Sequence, residues 1–576
     1  MGDDLKELIE ALDKERPLSG DALSLLQGAQ ARRARLRTAL RSRGYYDGRV
    51  SATVAGHSID DPAALDAISA RPDSDRIDFT VEVETGPVYR VADMAIRPGR
   101  GSAASLPIDL GKLSLAPGKP ADAATIIKTQ DEILDQVRET GHALAAIADR
   151  EVVVDHATRE AHVTYTVAEG PVARMGKVTF AGTDNVDKDW LQRRVPFERG
   201  EPYAPGKIKG LRERLNGLGV FSAVRIKPDG ALDPSGELPI EVDLTDRLPR
   251  TIGFGASYET ILGLGINGYW MHRNLFGQAE SIRLSAEINH IGQGQIPQDL
   301  GYAFKADFRK PDWWFSNQDI VGQAQVLREV LPAYTRRAVL VSGGFERSFP
   351  PHWTAKSSLA YDYSSIDAFG TTRNFSLIGL PSSVRLNMAD STVEPTKGYQ
   401  LTFALSPYVD SANGNDIFGI FRLTGTTYVN VSGDGRSVLA GRASFGTIPG
   451  ASPDIIPPDK LFYAGGGGSV RGFTYQSAGP RDAYNTPLGG ASVVEASIEF
   501  RQRIGKSFGA VAFIDAGSAY REVWPNFAEL APRVGTGAGV RYYTDFGAAR
   551  LDIGVPLNRR EGDPPFGVYV SLGQAF

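Results

Sequence analysis

Three stretches of this 576-residue chain carry residue types and spacings that could do chemistry. Gly263-Leu-Gly265-Ile-Asn-Gly268 has the glycine spacing with which a backbone approaches a dinucleotide pyrophosphate. That loop works only between a strand and a helix of a βαβ unit, and none surrounds it here. Gly56-His57-Ser58-Ile59-Asp60 starts like a nucleophile elbow but lacks the closing glycine. The seven histidines (His57, His142, His156, His162, His272, His290, His352) show no His-x-x-x-His spacing. His156 and His162 flank a turn beside Asp155 and Glu160 and read as solvated. Cysteine is absent, which removes disulfides, thiolate metal sites and cysteine nucleophiles. No enzyme activity, cofactor or metal is expected. The net charge of −5 offers no basic excess for a nucleic-acid partner. One cation stands apart. Arg471 follows the run Gly465–Gly468 and precedes Gly472-Phe473. Glycines let a backbone approach another surface closely, and a guanidinium can grip a carboxylate with two parallel bonds.

The segments around that arginine have period two. Ile282, Leu284, Ala286 and Ile288 alternate with Ser281, Arg283, Ser285 and Glu287. Tyr399, Leu401, Phe403 and Leu405 alternate with Gln400, Thr402 and Ala404. Val494, Ala496, Ile498 and Phe500 alternate with Glu495, Ser497, Glu499 and Arg501, and Leu551, Ile553, Val555 and Leu557 with Arg550 and Asp552. A soluble sandwich keeps its inner face apolar. One apolar and one charged face instead suits lipid outside and water inside. No run of ~18 apolar residues exists for a transmembrane helix, but a membrane strand needs only about ten. The aromatic pairs Tyr269-Trp270 and Trp313-Trp314 suit the membrane interface. At about 20 residues per strand and connection, residues 251–576 make roughly 16 antiparallel strands, an even number as bacterial barrels favour. Lipid requires closure of such a sheet, because an open edge leaves backbone groups unpaired.

The first 250 residues repeat. Gly86-Pro-Val-Tyr-Arg90 returns as Gly170-Pro-Val-Ala-Arg174, each after an alternating strand and before another. Helices end at Gly44, Gly141 and Gly219, where glycine suits a left-handed cap. Apolar positions such as Leu5, Leu8, Ile9 and Leu12 give the helices one buried face. The unit is strand, helix, helix, strand, strand. The first copy lacks its opening strand, since a helix already starts near residue 3. An exported barrel carries a signal peptide, so the acidic start after Met1-Gly2 reads as a processed end.

The repeat unit resembles the POTRA domain, a periplasmic module found in tandem before outer-membrane barrels. Gly465–Phe473, with its Val470-Arg471-Gly472-Phe473 core, resembles the signature of the Omp85 superfamily. Asn274-Leu-Phe-Gly277, Pro395-Thr-Lys-Gly398, Phe513-Ile-Asp515-Ala-Gly517 and the closing Val568–Phe576 match it further, so the resemblance covers nearly the whole chain. It implies three POTRA domains (1–88, 89–172 and 173–248) and a 16-stranded antiparallel transmembrane β-barrel (249–576) in the cell outer membrane, with the N-terminal domains in the periplasm. Three POTRA units at this length are similar to the TamA branch, whereas BamA is longer and two-partner secretion transporters carry two. That branch implies insertion of autotransporters and other barrel clients, phospholipid traffic, contact with membrane lipid, a monomeric barrel, and a TamB-like periplasm-spanning partner bound through the POTRA domains. A two-partner-secretion-type pore, threading one polypeptide through its lumen, is the alternative.

In the family the Val-Arg-Gly-Phe loop folds back into the barrel and its arginine meets acids on the inner wall. Glu495, Glu499 and Asp515 are the matching acids here. A seam between the first strand (Thr251, Gly253, Gly255, Tyr258) and the last (Val568, Val570, Leu572, Phe576) is the second candidate site. Interior glycines weaken a strand, so the seam could open and template a client strand; the same glycines could equally relieve curvature.

Overall fold

The computed structural model describes residues 21–70, 78–100, 106–259, 263–291, 300–544 and 547–572. Leu5, Leu8, Ile9, Leu12 and Phe576 lie outside them. By chain contacts there are two units: most of residues 1–244, and Thr245–Phe576 together with the segments Gly182–Arg194 and Asn216–Ala223.

Before the long sheet come three small α+β modules, two of them wholly and the third mostly in the first unit, each with a three-stranded sheet. In the second, Arg90–Pro98 runs parallel to Glu160–Ala168, which pairs antiparallel with Ala146–Asp155. The helix Ala123–Glu139 covers this sheet and is capped by the Asp122 carboxylate, which accepts from the Thr125 amide at 2.8 Å. Ile126, Ile133 and Val137 pack on Val163, Tyr165 and Val167. The third module repeats the plan with Arg174–Ala181, Pro205–Gly217, Phe221–Pro228 and Glu237–Asp246. Gly44, Gly141 and Gly219 end the three long helices at φ of +84°, +98° and +70°, where a side chain would strain the turn.

Two departures from the expected unit stand out. Before its long helix the second module has only the short 3-10 turn Leu110–Lys112. In the first module the short helix Ala63–Ser69 falls between the paired strands Arg49–Val54 and Phe79–Glu84, not before them. No strand runs parallel to Phe79–Glu84 among the described residues.

The repeated Gly-Pro motif joins one module to the next. The Tyr89 amide donates to the Gly44 carbonyl and the Ala173 amide to the Gly141 carbonyl, each at 2.9 Å. Each helix-ending glycine thus receives the opening strand of the following module. At the first junction the buried Tyr89 hydroxyl lies 2.9 Å from His156 Nδ1, which lies 2.9 Å from Asp47. Burial and Asp47 push the Tyr89 hydroxyl up to about 12, so it stays protonated at neutral pH.

The second unit is one antiparallel sheet of seventeen segments, from Arg250–Glu259 to Gly567–Leu572, in chain order. Thr371–Gly379 and Ser382–Asn387 are two parts of one traverse. Both pair with Trp353–Ala368 and both with Gly398–Asp410, and the break falls at Leu380-Pro381. Sixteen traverses result. The last strand returns to the first at Tyr258↔Val570 and Glu259↔Tyr569.

Burial on this barrel is inverted relative to a water-soluble protein. Leu284, Leu401, Ile498 and Ile553 are 45, 41, 55 and 49% exposed, while Glu495, Glu499, Arg501 and Asp552 are 4, 0, 6 and 0% exposed. Alternation also corrects the reading of Tyr269-Trp270 as one interface pair. Trp270 lies opposite exposed Ile252, whereas Tyr269 faces inward and stacks on the Arg283 guanidinium. No helix among the described residues is long and apolar enough to cross a membrane, so the strands carry the apolar surface.

This inversion makes a prediction. Leu401→Arg on the outer face should destabilise the barrel by ~2–4 kcal/mol in lipid vesicles, and Thr402→Arg on the inner face by far less. Urea titration of both variants checks it; equal costs would contradict the assignment of faces.

Candidate functional site: the loop held inside the barrel

The long connection between Ser437–Thr447 and Ser492–Ile504 packs against the inner wall. Its Val470 and Phe473 are fully buried, in a cluster with Ile448, Ile456 and Leu461 from the loop and Leu377, Phe418 and Val493 from the wall. Arg471 lies between them, 2% exposed. Its Nε and Nη2 donate to the two Asp515 oxygens at 2.8 and 3.0 Å, and its backbone amide donates to Asp515 Oδ2 at 3.1 Å. Nη1 donates to Glu499 at 2.8 Å and to Asp552 at 3.1 Å. The guanidinium also sits 3.3 Å from the centroid of the Phe513 ring, a cation–π contact.

Four consecutive strands build this pocket. Ser492–Ile504 supplies Glu499 and Arg501, Phe508–Tyr520 supplies Phe513 and Asp515, Arg533–Thr544 supplies Arg541, and Gly547–Pro556 supplies Arg550 and Asp552. Arg501 donates to Glu499 at 2.7 Å, and Arg541 bonds Asp552 and lies 3.7 Å from Glu499. Three carboxylates therefore share several guanidiniums. In a site this dry, unmatched charge is expensive and mutual pairing offsets the desolvation.

The wall is bare where the loop touches it. A Cβ at Gly535 would sit on the Arg471 carbonyl oxygen, and one at Gly554 would come 2.7 Å from the Gly472 amide. Gly472 has φ +99°, and a Cβ there would be 2.8 Å from the Pro556 nitrogen. Its amide donates to the Tyr569 hydroxyl at 2.9 Å, and that hydroxyl donates to the Phe473 carbonyl at 3.2 Å. Tyr569 belongs to the last strand and is one of its two pairing positions with the first. The motif thus reaches the seam through one tyrosine.

The structure separates the residues singled out in the sequence. Glu499 and Asp515 meet Arg471. Glu495 does not; it accepts from the Ser469 hydroxyl and from Arg422 and Arg442 at 2.9 and 3.3 Å. It holds the loop's glycine end instead, where Arg442 also donates to the Gly468 carbonyl at 2.8 Å. Of the four glycines, only Gly467 lies so that an added Cβ would meet the wall, at the Tyr569 ring. Gly465 and Gly466 crowd the loop's own residues 474–478, and a Cβ at Gly468 would meet nothing.

At the seam, Thr251, Gly253 and Gly255 pair with Met271, Tyr269 and Asn267 of the next strand, and Tyr258 with Val570. A Cβ at Gly253 would strike the Tyr269 ring and one at Gly255 the Asn267 amide, so these glycines make room for neighbouring side chains. Val568 and Leu572 pair with Ile553 and Ala549.

Sequence reasoning missed Asp552, Arg541 and Tyr569. It also missed a second anchor on strands Thr335–Phe349 and Trp353–Ala368, in the other half of the sheet order. There Arg336 donates to both Asp362 oxygens at 2.9 and 2.7 Å. Asp459 and Lys460, from the loop's short turn Pro458–Lys460, complete the cluster: Arg336 lies 3.1 Å from Asp459, and Lys460 donates to Asp362 at 2.7 Å. The loop is therefore pinned at two buried ionic clusters with an apolar cluster between them. Among the described residues, no group of three or more His, Cys, Asp or Glu is placed to hold a metal ion.

Comparison with known proteins gives concordant matches. Residues 274–576 match the Omp85 superfamily domain, and residues 173–245 match the POTRA family described as surface antigen variable number repeat. The outer membrane protein assembly factor BamA of Nitratidesulfovibrio vulgaris (strain Hildenborough) is 24% identical over 481 residues, covering 79% of this chain and 58% of that protein. BamA of Neorickettsia risticii (strain Illinois) is 21% identical over 542 residues, covering 87% of this chain and 68% of that protein. This chain thus spans little more than half to two thirds of those relatives. The crystal structure of BamA from Haemophilus ducreyi lacking POTRA domains 1–3 superposes with TM-score 0.65 at 16% identity, over 84% of this chain and 99% of that one. That likeness concerns the fold.

Removing the Arg471 side chain should leave its three carboxylates short of a cation and cost ~3–5 kcal/mol, as for other broken buried pairs. Arg471→Lys should fall between, because an ammonium cannot form the two-pronged bond. Urea midpoints in detergent, read by the heat-modifiable gel shift, check both. Unchanged midpoints would contradict the reading.

Proposed function

Since the chain belongs to the Omp85 superfamily, we propose that it is an outer-membrane assembly factor that inserts β-barrel clients, autotransporters among them. Its barrel lies in the outer membrane and its N-terminal modules in the periplasm. On this proposal all three modules are POTRA domains (1–88, 89–172 and 173–248), and the barrel (249–576) is closed by the seam into sixteen transmembrane strands. The protein is not an enzyme. It acts as a monomeric barrel without cofactor, contacts lipid directly, and engages a TamB-like periplasm-spanning partner through its POTRA domains, with phospholipid traffic as a further role.

The observation that carries the assembly role is the link between the held loop and the seam. Among the described residues the first and last strands meet at Tyr258↔Val570 and Glu259↔Tyr569. Were these two strands to part, the backbone groups between them would template an incoming strand. Tyr569 connects the seam to the loop held by Arg471, Glu499, Asp515 and Asp552. The loop thus fixes the inner side of the last strand at the point where it meets the first. In the two-partner-secretion alternative the lumen would conduct a polypeptide. The two ionic anchors and the apolar cluster between them place packed side chains there instead, which favours insertion at the seam.

The chain has no cysteine, so a Tyr258→Cys/Val570→Cys pair would be the sole disulfide. Oxidised, it should abolish client assembly into proteoliposomes while the barrel remains heat-modifiable, and reduction should restore activity. Full assembly in the oxidised form would overturn seam opening. Large, steady conductance in planar bilayers would favour the secretory pore.

A further inference from the structure

We infer that the outer face of the barrel holds one anionic glycerophospholipid, with an acyl chain in a groove at the interrupted strand and its phosphate on Arg347. The inference rests on the membrane location and not on the assembly role.

The register places two rows of side chains across this part of the wall. One runs Arg347, Ala355, Val384, Phe403 and the next Phe345, Ser357, Ser382, Leu405. Large rings and chains stand at the flanks, while Ala355, Ser357 and Ser382 stay short in the middle. A groove of about 390 Å³ results, with almost entirely apolar walls. That volume lies within the range of ligand pockets, ~300–1,000 Å³. The break at Leu380-Pro381 puts Ser382 at the start of a new segment beside it. The Ser382 hydroxyl donates to the Leu380 carbonyl at 3.2 Å and lies 2.8 Å from the Ser357 hydroxyl, which can donate to it, so neither presents an unmet donor to hydrocarbon.

Arg347 stands at one end of this groove. It shares the outward face of its strand with Val341 and Phe345, which are 51 and 41% exposed. Traverses alternate in direction, so it lies at the same end of the sheet as Arg250, where the first strand begins. Its guanidinium is 5.2 Å from the ring centroids of both Phe315 and Phe349, and Trp314 and Trp353 are exposed nearby. Such an aromatic belt marks the membrane interface. No carboxylate pairs with Arg347 among the described residues. A lipid-facing guanidinium at headgroup depth is complementary to a phosphodiester, which it can bind through two N–H groups. The adjoining groove then receives the chain of the same molecule.

The test uses the full chain in phosphatidylcholine vesicles doped with phosphatidylglycerol that carries a diazirine on one acyl chain. After illumination the labelled peptides are mapped. Labelling should concentrate on the peptides holding Phe345, Ser357 and Phe403, and unlabelled phosphatidylglycerol should compete where phosphatidylcholine does not. Arg347→Gln should lower it about fivefold, the effect of one interfacial cation on an anionic lipid. Ser357→Phe, which fills the groove, should abolish it. Both variants are first checked for the heat-modifiable fold; should either fail it, the wild-type map and competition decide. Labelling spread evenly over the outward strands, or equal competition by the two lipids, would overturn the site.

Discussion

A sheet in lipid must satisfy every backbone group within itself and must turn its apolar side chains outward. Everything polar is then forced to one side, the inside. On this barrel that constraint concentrates Glu495, Glu499, Arg501, Asp515, Arg541 and Asp552 on neighbouring inner-wall positions, each less than a tenth exposed. Charges so confined are stable only when matched. The loop between Thr447 and Ser492 brings the matching cation, Arg471, and two further strands receive Asp459 and Lys460 from the same loop. The loop's position is a consequence of the inversion, because the wall it touches is charged and its own apolar residues have no lipid to face.

Glycine placement completes the fit. Gly535 and Gly554 strip the wall where Arg471 and Gly472 lie, and Gly472 itself takes a backbone angle that a side chain would resist. Tyr569 then hands the contact from the loop to the last strand. The chain of causes runs from inverted burial, through charge matching, to a tethered loop, to a last strand held from inside at the point where it meets the first.

Much of this was legible in the residues. Period-two alternation with charge on one face announced the barrel, and the repeated Gly-Pro motifs and helix-ending glycines announced tandem modules. The Val470–Phe473 motif pointed to the loop and to Glu499 and Asp515. Other features were hidden for physical reasons. Asp552 sits on an alternating strand like any inner-face residue, and only three-dimensional register brings it beside Arg471, 81 residues away. Glu495 looked equivalent to Glu499 by spacing, yet four residues along a strand moved it to Ser469, Arg422 and Arg442. Gly253 and Gly255 read as weakness or as relief of curvature, and the room they also leave for Tyr269 and Asn267 emerges only from the three-dimensional register. Asp459 and Lys460 sit in an irregular turn, where no periodicity signals a partner across the barrel.

The central claim is that Arg471 and its neighbours hold the loop as firmly as a strand. Amide hydrogen exchange of the protein in lipid nanodiscs tests it directly. The Arg471 amide donates to Asp515 and the Gly472 amide to Tyr569, both in buried surroundings. The account predicts that these two amides exchange as slowly as those of strand Phe508–Tyr520, while the loop tip at Tyr484, 90% exposed, exchanges fast. Exchange at Arg471 and Gly472 as rapid as at Tyr484 would contradict it.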